Sequence, residues 1–131
     1  MPGFLAAILR ADFSDEEKSY INFIKGDYFE TIDAFDFNEY SFNVIVTPSH
    51  EYDERLLEIL MKKPYAYLGM IGSRRKIALV KKNFIENLGI SEEAISNIDM
   101  PIGIPIKVET PEEIAVSILA KIIDVKNSRQ Q

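Results

Sequence analysis

The middle of the chain alternates short apolar runs with longer helical patterns. Phe42 to Thr47 is rich in β-branched and aromatic residues and predicts a strand. Tyr52 to Lys63 follows after a turn and carries its leucines at helical spacing. Tyr65 to Ile71 predicts a second buried strand, and the turn Gly72-Ser73 then leads into a helix that runs to about Leu88. Strand and helix therefore alternate twice.

Shorter elements are predicted on both sides of this unit. Phe4 to Leu9 is an apolar run typical of a buried strand, and Ser14 is placed to cap a short acidic helix. Tyr20 to Lys25 predicts another strand, and Glu30 to Phe37 a helical turn. Ser91 is placed to begin a short helix after Gly89.

The C-terminal third carries the strongest local signal. Thr110-Pro111-Glu112-Glu113 combines an N-cap threonine, a proline at the first helical position and a glutamate three residues after the cap. A helix is therefore predicted from Pro111 to about Val125, and Lys126 to Gln131 is expected to be a frayed tail. The predicted apolar side consists of Ile114, Ala115, Ile118 and Ile122.

Strands that alternate with helices favour parallel pairing in a doubly wound α/β fold, with ligands at the carboxyl ends of the strands. The 131 residues, of which 47% are hydrophobic, suit one compact domain. We expect this domain to span residues 1–131, with residues 1–9 contributing an N-terminal strand.

Composition narrows the classes of function. The chain has no cysteine and one histidine, which excludes a thiolate metal site and a multi-histidine site within one chain. No apolar run is long enough to cross a membrane, and the N-terminus lacks the pattern of a signal peptide. A cytoplasmic protein with no membrane partner is expected.

The charge is unevenly distributed. The formal net charge is -6, yet residues 61–90 carry seven basic side chains and one acidic one. Residues 1–60 carry four basic and thirteen acidic side chains, which would repel a long phosphate backbone. The pattern favours a small anionic ligand over nucleic acid.

The basic segment, residues 61–90, contains a candidate anion site. Gly72, Ser73, Arg74 and Arg75, which we call the basic turn, lie between the second strand and the helix after it. Free backbone N–H groups and the helix dipole favour negative charge there. An arginine there can grip a phosphate or a carboxylate bidentately. The alternative is an ordinary helix start that Ser73 caps and whose basic side chains are solvated.

Two further turns are candidates for the same crevice. Thr47 and His50 follow the first strand, so they should lie beside the basic turn, with Asp53 placed to fix the tautomer of His50. The alternative is that His50 only caps a turn or the helix. Gly103 lies in a Pro/Gly-broken loop that can approach a ligand, or that simply makes a tight turn around a buried Ile102.

Four motifs in this order resemble the C-terminal Rossmann domain of the XdhC/CoxI family. They are Val44-Ile45-Val46-Thr47 with His50 and Asp53, Tyr67-Leu68-Gly69-Met70-Ile71-Gly72-Ser73-Arg74-Arg75-Lys76, Pro101-Ile102-Gly103, and Glu109-Thr110-Pro111-Glu112-Glu113-Ile114-Ala115-Val116-Ser117-Ile118-Leu119-Ala120. The resemblance implies an accessory or chaperone protein that binds the molybdenum cofactor (molybdopterin) and serves xanthine dehydrogenase or a related molybdenum hydroxylase. It also implies ligand contacts at Gly72, Ser73, Arg74 and Arg75, with His50 facing the same crevice.

The sequence lacks the first strand and the glycine-rich turn that usually open this Rossmann-like domain. That absence weighs against NAD(P) binding, and hence against a nicotinamide-dependent oxidoreductase. Without that central strand, two edges of the sheet have unpaired backbone hydrogen-bonding groups that must be covered. We therefore predict a homodimer in which sheets join or elements exchange. We therefore expect a binding protein without catalytic residues, and the remaining alternative is an assembly fragment that binds nothing.

Overall fold

The computed structural model describes Ile24 and residues 26–129 of the chain. The predicted strand at Phe4 to Leu9, the Ser14 helix and nearly all of the predicted strand at Tyr20 to Lys25 lie outside the described residues. The elements in chain order are α1 (Tyr28–Ala34), β1 (Phe42–Ile45), α2 (His50–Met61), β2 (Tyr67–Met70), α3 (Arg74–Glu86), α4 (Glu92–Ser96) and α5 (Pro111–Ser128).

The two strands pair in parallel, as their alternation with helices predicts. Phe42 lies opposite Tyr67 and Ile45 lies opposite Met70, so both strands end at the same edge of the sheet. All four residues of β2 are buried, whereas in β1 the buried residues alternate with exposed or half-buried ones. β2 is therefore the central strand of the part that the structure describes.

A third segment extends the sheet on the far side of β2. Asp99 bridges to Gly69 in parallel; its N–H donates to the carbonyl of Leu68, and its carbonyl accepts from Met70. The N–H of Ile102 then donates to the carbonyl of Met70, at 3.0 Å. The chain after α4 thus follows β2 to its carboxyl end without forming a regular strand.

Helix starts follow the local capping rules. Ser49, Ser73, Ser91 and Thr110 each accept a hydrogen bond from a backbone N–H in the first turn of the helix that follows. At α5 the predicted capping box is present, since the Glu113 carboxylate also accepts from the backbone N–H of Thr110. These caps fix where the helices that flank the candidate site begin.

The core lies between the sheet and helices α1 to α4. Its most deeply buried members are Leu57, Leu68, Met70, Val80 and Phe84. The apolar face predicted for α3 is confirmed for Ile77, Val80 and Phe84, while Leu88 lies beyond the end of the helix and is exposed.

Helix α5 departs from the sequence prediction in two ways. Its one fully buried residue is Ser117, while Ala115, predicted on the apolar side, is exposed. The helix also continues to Ser128 instead of fraying after Val125, because the Arg129 guanidinium donates to the carbonyl of Glu39 at 2.9 Å and anchors the end of the helix.

Gly69 allows the third segment to approach β2. A Cβ built on Gly69 would lie 2.6 Å from the Tyr67 hydroxyl oxygen and 2.7 Å from Cγ1 of Ile102. Any larger side chain would push Ile102 off the strand, and the loop that follows Ile102 would move with it.

We expect Gly69→Ala to lower the free energy of unfolding by about 1–3 kcal/mol, the usual cost of overpacking a close-packed core. Urea denaturation measures it. Because Ile102 supplies two of the three nearest atoms, the double variant Gly69→Ala/Ile102→Ala should be more stable than the sum of the two single changes predicts. Strict additivity would show that the crowding lies elsewhere.

Candidate functional site

A cavity of about 510 Å³ opens at the carboxyl end of β2, between the start of α3 and the loop that leads to α5. This volume lies within the range of small-molecule sites. Its wall is mostly apolar, and the apolar residues are Ile71, Pro101, Ile102, Ile104, Pro105, Ile106, Val108 and Ile114. The polar and glycine positions in the wall are Gly72, Arg74, Gly103, Lys107 and Ser117.

The charges in this wall have one sign. Arg74 and Lys107 both line the cavity, and the lining includes no carboxylate. Arg74 is the first residue of α3, where the helix dipole adds partial positive charge, and the first turn of α3 contains no acidic residue. The cavity therefore combines apolar walls with a cationic end, which suits an anionic ligand that has an apolar body.

The residues of the basic turn differ in whether they line the cavity. Gly72 and Arg74 are part of its wall, whereas Ser73 and Arg75 are not, although Ser73, Arg74 and Arg75 are all exposed. The Ser73 hydroxyl accepts from the N–H of Lys76 at 3.2 Å, so it is the N-cap of α3. A Cβ on Gly72 would lie 2.8 Å from Cδ1 of Ile77, so the packing of Ile77 accounts for a glycine there.

The turn after β1 lies beside the basic turn, because β1 and β2 are parallel neighbours that end together. Thr47 is half-buried, and its hydroxyl donates to the carbonyl of Ser49 at 2.7 Å. His50 is exposed as the first residue of α2. Neither Thr47 nor His50 belongs to the wall of the cavity.

Asp53 stabilises the turn after β1 rather than orienting His50. Its Oδ1 accepts from the backbone N–H of Thr47 at 2.9 Å, and its Oδ2 has no hydrogen-bond partner within the described part of the chain. The expected pairing of Asp53 with the imidazole of His50 is therefore wrong. The side chain is only 2% exposed, and burial raises the pKa of this carboxyl although the hydrogen bonds from Thr47 oppose the shift.

One carboxylate joins the loop that carries Gly103 to the central strand. Asp99 Oδ2 accepts from the Tyr67 hydroxyl at 2.5 Å and from the N–H of Gly103 at 2.9 Å. Burial, followed by the hydrogen bond and negative charge of Asp99, raises the pKa of the Tyr67 hydroxyl well above its usual range, so Tyr67 remains a donor. Gly103 has φ +98°, in the region that favours glycine.

Gly103 also fits tightly against α5. A Cβ on Gly103 would collide with the hydroxyl of Ser117, and Ile104 donates to the carbonyl of Ser117 at 3.1 Å. The Ser117 hydroxyl donates to the carbonyl of Ile114 at 2.7 Å. The glycine thus lets the loop and α5 close the same wall of the cavity, and Ile102 is buried as a core anchor.

Lys107 is the cavity residue that sequence reasoning missed. It lies between Pro101–Gly103 and the capping box of α5, in a stretch without helix or strand. Its position four residues after Gly103 is the signal that could have found it. A loop that folds back over the ends of the strands places the residues that follow it near the same cavity.

No group of three or more His, Cys, Asp or Glu side chains is arranged to hold a metal ion in the described part of the chain. Likewise, none of the helices within those residues is both long and apolar enough to span a membrane.

We expect Tyr67→Phe to lower the free energy of unfolding by about 1–2 kcal/mol, because Asp99 loses a buried hydrogen-bond donor. The amide of Gly103 should exchange with deuterium faster in this variant, since its acceptor is less constrained. Tyr40→Phe, at an exposed tyrosine, is the control and should change neither quantity. An unchanged Gly103 exchange rate would contradict the role given to Asp99.

Asp53 predicts a specific dependence of stability on pH. Its pKa in the folded state lies above the unfolded value, so the neutral form contributes stability at low pH that is lost as the pH rises through the folded pKa. From about pH 4 to about pH 7 the wild type should therefore lose stability relative to Asp53→Asn, which cannot ionise. Asp53→Ala should lose about 1–3 kcal/mol at both values, because Thr47 N–H loses its acceptor. Urea denaturation as a function of pH measures these differences, and parallel wild-type and Asn profiles would contradict the shift.

Comparison with known proteins agrees with this architecture. The model of the family described as the XdhC Rossmann domain matches residues 7–122. Over 97 residues the chain is 39% identical to the uncharacterized protein YqeB of Escherichia coli (strain K12), covering 74% of this chain and 17% of that protein. It is 28% identical over 97 residues to a probable xanthine dehydrogenase subunit of Bacillus subtilis (strain 168), covering 74% of this chain and 27% of that one.

A solved structure described as a xanthine dehydrogenase from Bacillus halodurans superposes with a TM-score of 0.68 at 27% sequence identity, covering 85% of this chain and 31% of that one. The chain thus spans less than a third of the length of each of these three relatives. The predicted Rossmann-like α/β class is confirmed. Because the family model matches most of the sequence, the chain belongs to the XdhC Rossmann-domain family.

Proposed function

We propose that this domain binds the molybdenum cofactor in the cavity at the end of β2 and acts in the cytoplasm as an accessory domain for the maturation of a molybdenum hydroxylase. Two relatives with names that refer to xanthine dehydrogenase support this class of client. Because the chain spans only part of those proteins, the client and the cofactor remain proposals for this chain.

The observation that carries the proposal is the lining of the cavity. Arg74 and Lys107 are its charged residues, and the other side chains in its wall are apolar except for Ser117. Arg74 and Arg75 are both exposed, but only Arg74 lines the cavity, so a phosphate bound in the cavity would lie closer to the guanidinium of Arg74 and gain more from it.

The cofactor fits this lining by its chemistry. Its phosphate suits the guanidinium of Arg74 and the ammonium of Lys107, while the isoleucine and proline walls suit the faces of the pterin ring. When bound, the cofactor supplies the molybdenum centre that the client hydroxylase uses. The wall holds neither a histidine nor a carboxylate that could transfer a proton. The role proposed for its residues is therefore to bind and orient the ligand.

The two neighbouring arginines provide a matched test. We expect Arg74→Ala to weaken binding about 10-fold to 100-fold, which corresponds to the loss of about 1.5–3 kcal/mol of hydrogen bonding to a charged group. Arg75→Ala removes the same charge one position away and should change binding less than about threefold, because Arg75 is an exposed residue outside the cavity wall. The measurement is the molybdenum and pterin content of protein purified from cells grown with molybdate, followed by native mass spectrometry.

A second cavity variant and three other ligands complete the test. Lys107→Ala should lower the bound pterin as Arg74→Ala does. Inorganic phosphate should compete with the pterin at the same cavity, whereas NAD and NADP should not bind measurably. Wild-type protein without bound pterin, or equal losses in the Arg74 and Arg75 variants, would overturn the proposal in favour of an assembly fragment without a ligand.

A further inference from the structure

Helix α5 carries an exposed apolar seam that the cavity does not use. Val116, Leu119 and Ile123 are 60%, 57% and 56% exposed. Glu112 lies four residues before Val116, and Lys126 lies three residues after Ile123. Both are exposed. We call these five residues the α5 seam. Their spacing of four, three, four and three residues places them along one line of the helix, as in a coiled coil.

The α5 seam lies opposite the face that α5 turns toward the rest of the domain. Ser117, which is buried against Gly103, and Leu119 are two positions apart, about 200° around the helix. The helix is held near its start by the bond from Ile104 to Ser117 and at its end by the bond from Arg129 to Glu39. The domain therefore presents the seam outward on a fixed support.

Three large apolar side chains in one row on an exposed helix face are typical of an interaction surface. The order of charges along the row identifies an occupant. An acidic residue lies at the start of the seam and a basic residue at its end, so the seam is complementary to its own copy when that copy runs in the opposite direction.

We propose that α5 pairs with α5 of a second copy of this chain, antiparallel and about a two-fold axis near Leu119. Leu119 then packs against Leu119 of the second copy, Val116 packs against Ile123, and Glu112 faces Lys126. Each of these contacts occurs twice or on the axis, as a closed isologous interface requires. The antiparallel helix dipoles are also oriented favourably.

The size of this surface sets the expected strength. One helix pair of this length buries less than the ~800 Å² per partner of a stable complex. The dimer should therefore be reversible and depend on protein concentration. The homodimer predicted from the sequence would use the edges of the sheet, so the α5 seam is an independent route to self-association.

Analytical ultracentrifugation of the full chain over a concentration series tests the surface. The wild type should shift from monomer to dimer as its concentration rises, and Leu119→Asp should remain monomeric. Leu79→Asp is the matched control, because Leu79 is an equally exposed leucine on α3, at 60%, and this variant should dimerise as the wild type does. Circular dichroism confirms that the variants fold.

A charge-reversal cycle tests the antiparallel register. Glu112→Lys and Lys126→Glu should each weaken dimerisation roughly tenfold, because each places like charges together at both ends of the seam. The double variant restores opposite charges and should recover most of the affinity, although it disfavours the helix dipole within each copy. Rescue therefore reports contact between copies.

Three outcomes would overturn the proposal: a wild type that is monomeric at every concentration, equal effects of Leu119→Asp and Leu79→Asp, or a double reversal that is no better than either single change. Each would show that α5 does not pair with its own copy in this register.

Discussion

The Asp99 carboxylate is the interaction on which the site depends. It receives the Tyr67 hydroxyl from the central strand and the N–H of Gly103 from the loop beyond, and so joins the sheet to the wall of the cavity. The third segment has few ladder hydrogen bonds of its own. Without this carboxylate the loop would keep its backbone hydrogen bonds to Met70 and Ser117, but the turn at Gly103 would lose its side-chain link to the central strand.

Local rules predicted the elements that build the site. Serine and threonine caps at Ser49, Ser73 and Thr110 are set by hydrogen bonds within four residues, so a single sequence contains the whole signal. The parallel pairing of β1 with β2 followed from the intervening helix, because a parallel partner requires a crossover. These features are sufficient to place the basic turn at the edge of the sheet.

Contacts distant in sequence decided what local rules could not. Lys107 reaches the cavity because Asp99 and Gly103 set the path of its loop, and nothing near Lys107 in sequence encodes that path. Ser117 is buried in place of Ala115 because the backbone of Gly103 approaches α5 there, which leaves room for a small side chain only. Apolar periodicity alone could not reveal either contact.

The two faces of α5 connect the cavity with the surface. Ile114 and Ser117 complete one wall of the cavity, and Val116 and Leu119 point away from it on the same turns of helix. Because a helix moves as a rigid rod over such a short length, an interface that fixes the outer face also fixes the wall. Coupling between ligand binding and dimerisation requires that both change the free energy of a shared element. Among the described helices, α5 contributes both to the cavity wall and to the α5 seam. The ligand and a second copy of the chain would then act on the same structural support, with the fit of Gly103 against Ser117 as their common point of contact.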